Sequence, residues 1–113
     1  MHRRNENAMS KRLDMLDMMT TQKPDDPFVW YARAMELRSL ERRDDALGAL
    51  RDVSRKFPHY VPTYLMAAQL AVELGQIQEA RELATLGIEK ARSAGDGHAA
   101  SELTSFLGSL DED

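Results

Sequence analysis

Trp30-Tyr31-Ala32-Arg33-Ala34-Met35-Glu36-Leu37 and Tyr64-Leu65-Met66-Ala67-Ala68-Gln69-Leu70-Ala71 stand 34 residues apart, and their alignment decides the fold. With that offset Trp30 falls on Tyr64, Ala34 on Ala68, Leu37 on Ala71 and Leu40 on Leu74. The match continues downstream, where Ala46 falls on Ala80 and Leu50 on Ala84. Such a period, with two helical segments in each unit, marks an array of helical hairpins. The residue types explain themselves physically. Alanine lets two helix backbones approach closely, and Trp30 or Tyr64 fills the wider gap beside it, so large faces small.

The punctuation outside this stretch agrees. Met9, Leu13, Leu16 and Met19 form one inward stripe of a helix near 5–22. Pro24 and Pro27 then break the chain, and Asp26 is placed to cap a second helix that carries Pro27 in its first turn. That helix runs near 27–41 with Trp30, Ala34 and Leu37 inward. Asp44 is the expected cap of a third, near 45–57, which Pro58 ends. A fourth, near 61–74, closes at Gly75. A fifth, near 77–93, directs Ile77, Ala80, Leu83, Ala84 and Ile88 inward, and Gly95-Asp96-Gly97 turns the chain into a last helix near 98–110. No stretch alternates with period two over a useful length. Short connections make neighbouring helices antiparallel.

Trp30, Ala34, Leu37, Ala46, Leu50, Val53 and Pro58, followed by Tyr64, Ala68, Ala71, Ala80, Ala84 and Gly87, resemble the tetratricopeptide repeat pattern over two consecutive units. Arg33 and Ala67 depart from it where a large apolar residue is usual, and Arg92 stands where a proline is expected. The resemblance implies an all-α fold, a short right-handed α-solenoid of about six helices. It divides a single domain, 1–113, into an orphan helix at 5–22, repeat one at 27–60, repeat two at 61–94 and a capping helix at 97–110.

Composition narrows the function. The chain has 113 residues, a formal net charge of −4 and no cysteine, which excludes a disulfide framework and a thiolate zinc site. The charge is uneven: residues 1–12 sum to +3 and the remainder to −7. No basic field suits a nucleic acid, no apolar run is long enough for a membrane span, and no export signal opens the chain, so a cytoplasmic address is expected. His2, His59 and His98 are scattered without metal-ligand spacing, and no glycine loop cradles a phosphate. No catalytic residue, metal or cofactor is expected. Glu36 and Arg33, three apart, are expected to pair on one helix face.

In the repeat family the first helix of each unit lines a concave groove. Carried over, that lining is Phe28, Tyr31, Met35 and Arg38 from one unit, with Pro62, Leu65, Gln69, Val72 and Glu73 from the next. Such a trough suits a helix or extended peptide of another protein. The alternative is that the chain's own last helix covers this face, or that it is simply core. Family members that grip a chaperone's terminal carboxylate use lysine, arginine and asparagine on these faces. Tyr31, Ala32, Met35, Pro62, Leu65, Met66 and Gln69 stand there instead, so that clamp is not expected. Met15 and Met18 widen the apolar arc of the first helix and are candidates for a homo-oligomer or homodimer contact. Because Ala46 marks a close helix crossing, Ala46→Leu should cost ~1–3 kcal/mol, read as a lower urea midpoint at constant slope. An unchanged midpoint would remove Ala46 from that crossing.

Overall fold

Local chemistry writes the boundaries between the helices. The computed structural model describes residues 2–111, with side chains from residue 11 onward. Met9, Arg3, Arg4 and His2 therefore lie outside the described side chains, and Glu112 and Asp113 outside the described residues. Among the described residues six helices follow one another: α1 (His2–Gln22), α2 (Pro27–Ser39), α3 (Arg43–Lys56), α4 (Pro62–Glu73), α5 (Ile77–Ser93) and α6 (Gly97–Ser109). Among the described residues no strand occurs, and no helix is long and apolar enough to cross a membrane.

Asp26 caps α2 as expected, accepting the Phe28 N–H at 3.0 Å, with Pro27 in the first turn. The two equivalent helices α2 and α4 close with the same pair of crossed bonds. After α4, the Gly75 N–H reaches Val72 O at 2.9 Å and the Gln76 N–H reaches Ala71 O at 2.7 Å, with Gly75 at φ 76°. After α2, the Glu41 N–H reaches Arg38 O at 2.9 Å and the Arg42 N–H reaches Leu37 O at 3.0 Å, with Glu41 at φ 60°. This is the glycine-type helix stop, and the first unit makes it with a glutamate, at a cost of roughly 1–2 kcal/mol for the left-handed backbone. The same tight turn corrects one expectation. It delivers the chain directly into α3, so Arg42 stands at the N-cap position and Asp44 lies inside the first turn with Asp45. There the two carboxylates complement the helix dipole instead of capping it.

Consecutive helices pack side by side along the array, and α6 also touches α4. The small residues of the repeat behave as read: Ala34, Ala46, Ala68 and Ala80 are fully buried. Trp30 and Tyr64, aligned in sequence, fare differently. Tyr64 is wholly buried, and its hydroxyl donates to Pro58 O at 2.6 Å. Trp30 is only half-buried; Val29 takes the inward place beside it. The Trp30 indole N–H donates to Pro24 O at 2.9 Å, and the Lys56 ammonium lies 3.6 Å from the ring centroid. Trp30 thus pins the α1–α2 connection and the end of α3, combining a hydrogen bond with a cation–π contact. Ile77, expected inward, is exposed at the first residue of α5.

Ion pairs join helices to one another, both consecutive ones and those one helix further along the array. Arg33 bonds Asp17 of α1, and Arg12 of α1 meets Glu36 at 3.2 Å, so the expected Arg33–Glu36 pair is replaced by two cross-helix pairs. Arg51 of α3 grips Glu79 of α5 with two bonds of 2.6 Å. That forked bond holds the Glu79 carboxyl below its ordinary range.

Of the glycines, Gly87 of α5 is the one at which another helix approaches the backbone closely. A Cβ there would stand 2.5 Å from Tyr64 Cβ and 3.0 Å from Leu103 Cδ1. Gly87→Ala gains ~1 kcal/mol of helix propensity but overpacks α4 and α6, which typically costs ~1–3 kcal/mol. Net destabilisation is expected in urea unfolding, and a raised midpoint would contradict the close approach.

Candidate protein-binding groove

Tyr31 is placed by the register of α2: one residue beyond Trp30, it turns away from the α1 side. Its ring meets Tyr60 edge to face, with centroids 5.6 Å apart and planes at 63°. Burial, and then the neighbouring Tyr60, push the Tyr31 hydroxyl above its ordinary range, with Arg38 opposing. Across from it stand Val61, the N-cap of α4, and Pro62, Leu65 and Met66 from its first turns.

These side chains form one side of a half-enclosed cavity of about 300 Å³. The other wall is α6. Asp96, its N-cap, spends one carboxylate oxygen on the Ala99 N–H at 3.0 Å. His98, Ala99, Glu102 and Leu103 then follow along the helix, and the His98 Nε2 lies 3.5 Å from Glu102 Oε1. Leu65, His98 and Glu102 also border an adjoining hollow of about 520 Å³ with Gln69, Ser101, Ser105 and Phe106. The two make a continuous trough between α4 and α6. Helix α6 packs along α5, touches α4 and forms a wall of this trough. A small apolar chamber with a few polar groups at its edge is the usual form of a binding site.

The nine residues expected to line the groove separate into distinct places. Tyr31, Pro62 and Leu65 meet in the cavity, and Gln69 lines the adjoining hollow. Arg38 and Glu73 face one another at 3.3 Å, and Arg43 joins the same carboxylate at 3.1 Å, so these residues tie α2 to α4. Val72 packs partly buried against the core. Met35 is half-buried and borders neither hollow. Phe28 stands 63% exposed at the start of α2, outside both. Sequence reasoning missed the α6 wall, because the carried-over pattern considered first helices of two units only. The 34-residue step from Tyr64 to His98 was the available signal. Met15 and Met18 of α1 are exposed at 59% and 60%. Among the described residues no three His, Asp or Glu side chains stand together as metal ligands.

The comparisons with known proteins agree with this architecture. A family model for the tetratricopeptide repeat matches residues 37–102. A tetratricopeptide repeat domain protein from Salinibacter ruber, solved in solution, is 31% identical, with 78% of this chain and 89% of that chain covered and a TM-score of 0.74. The TPR2B domain of yeast Sti1, solved as a complex with pHsp70, superposes over 96% of this chain and 86% of its own, with a TM-score of 0.82 at 18% identity. PcrH, solved with the chaperone binding region of PopD, does so over 96% and 83%, with a TM-score of 0.80 at 12% identity. The last two likenesses are of fold alone. No curated protein sequence matches the chain.

Proposed function

Because the chain belongs to the tetratricopeptide repeat family, we propose that it is a non-catalytic adaptor or scaffold whose concave side binds a peptide or helix of another protein. The coarser statement, a protein-interaction module, follows from the family and from the fold it shares with proteins solved in complex with other polypeptides. The observation that carries the finer reading is the half-enclosed apolar cavity at which Tyr31 of α2 and Leu65 of α4 meet the wall of α6. A side chain inserted there would be desolvated on several sides at once, which is how a few anchors supply most of an interface's binding energy. The proposed contact set is Phe28, Tyr31, Met35, Arg38, Leu65, Gln69 and Val72. In that set Tyr31 and Leu65 provide the apolar anchor site, and Arg38, tied to Glu73, holds the two units in register. The repeat boundaries at 27–60 and 61–94 belong to the same proposal, each unit contributing one lining helix.

Tyr31→Ala combined with Leu65→Ala should weaken capture of a bound polypeptide at least tenfold while helical content by circular dichroism stays within a tenth of wild type. The scale follows from anchor truncations of more than ~1 kcal/mol each. Retained capture by the folded double variant would sink the groove reading.

A second reading has its own observation. Met15 and Met18 are the most exposed methionines of the described residues and share one side of α1. Flexible thioether side chains on an open helix face suit an adaptable contact, and we propose that a second copy meets this face. Light scattering over a range of concentrations tests it. A dimer or larger species that becomes monomeric on Met15→Glu with Met18→Glu supports the contact, whereas a wild-type monomer, or an oligomer indifferent to the substitutions, removes it.

A further inference from the structure

The charge map of the chain singles out the trough. Residues 57–80 and 93–113 contain no lysine or arginine, while all fifteen of those side chains lie elsewhere. These two cation-free segments supply α4 and α6, which wall the trough together with Tyr31 of α2. Their acids are not equally placed. Glu73 is held by Arg38 and Arg43, Glu79 by Arg51 and Asp111 by Arg81, each reaching across from another helix. Asp96 and Glu102 line the cavity itself, and among the described residues neither has a lysine or arginine partner.

We infer that the trough selects a peptide carrying a bulky apolar side chain with a lysine or arginine within a few residues of it. This rests on the groove reading above and names the chemistry of its ligand. The cavity is about 300 Å³, and an apolar cavity of roughly half that size already takes a benzene-sized group, so a leucine, methionine or phenylalanine side chain fits on Tyr31, Leu65 and Met66. The backbone beside that anchor runs along α6, where Glu102 and the second oxygen of Asp96 offer carboxylate to a cation. An acidic peptide meets the same two carboxylates with like charge; no arginine or lysine lines either hollow, and Arg38, near Tyr31, is held by Glu73, so opposite charge acts both as attraction and as exclusion. His98 stands on the same rim, its Nε2 3.5 Å from Glu102 Oε1.

Selection of random twelve-residue peptides against the whole chain tests this directly. Enriched peptides are expected to place leucine, methionine or phenylalanine near lysine or arginine. Their affinity, read by fluorescence anisotropy, should fall as salt rises. Glu102→Lys, a reversal at an exposed position, should weaken them by about 3–10-fold, twice the logarithmic effect of one rim charge pair. Leu65→Ala should weaken them at least fivefold. Peptides that depend on Leu65 but carry no cation, or ignore Glu102→Lys, overturn the charge preference and leave the groove. Peptides indifferent to Leu65, or a selection that enriches nothing, overturn the groove itself. A concentration-dependent dimer that Glu102→Lys disperses would assign the trough to a second copy and overturn the peptide assignment.

Discussion

Tyr64 lying against Gly87 is the contact on which the rest of the array depends. Among the described residues the tyrosine is the largest wholly buried side chain. It reaches its depth because α5 offers bare backbone opposite it, with 2.5 Å between Tyr64 Cβ and the place a Gly87 Cβ would occupy. Burial of so large a ring supplies ~1.5–3 kcal/mol of transfer free energy. The polar end of the ring is satisfied at Pro58 O, 2.6 Å away, so the same residue anchors the α3–α4 connection. Leu103 of α6 closes against the same glycine. One contact therefore sets the spacing of α4 to α5, holds the linker ahead of α4, and seats α6.

The trough inherits its shape from that seat. Leu103 is both a buried core residue and part of the cavity lining, so the wall facing Leu65 is held by packing from behind. On the opposite side, Tyr31 is braced by Tyr60, which belongs to the linker fixed by the Tyr64–Pro58 bond. Walls supported in this way lose little side-chain entropy when a ligand enters, and preorganisation is where affinity is gained without added area.

The ion pairs divide the labour between cohesion and recognition. Pairs between consecutive helices, Arg33–Asp17 and Arg12–Glu36, and pairs that reach one helix further, Arg51–Glu79 and Arg38–Glu73, consume cations that the sequence would otherwise present at the surface. Exposed pairs of this kind contribute ~0.2–1 kcal/mol each, so their stabilising role is modest. Their larger consequence is where they leave charge unpaired. Cations sit on or beside α1, α2, α3 and α5, and among the described residues the two carboxylates of the α4–α6 trough have no lysine or arginine partner.

The sequence by itself determined the helices, their number and their repeat. A helix stripe is set by residues three and four apart, and a helix stop by one or two backbone conformations, so Asp26, Pro27, Pro58 and Gly75 could be read where they stand. It also determined the close crossings, since alanine at 34, 46, 68 and 80 has one steric reason to recur. What a pair of distant side chains does could not be read this way. Trp30 and Tyr64 align in sequence, yet one lies half-buried under Lys56 and the other at the centre of the core, because their neighbours come from different helices. Arg33 and Glu36 sit at pairing distance along α2 and each found a partner on α1 instead. Tyr31 and Leu65 were recognisable as apolar residues on lining helices, but the cavity they share exists only because α6 docks on α5 and faces them. Local structure depends on near neighbours in the chain, and a site depends on which surfaces packing leaves unfilled, which only the tertiary arrangement decides.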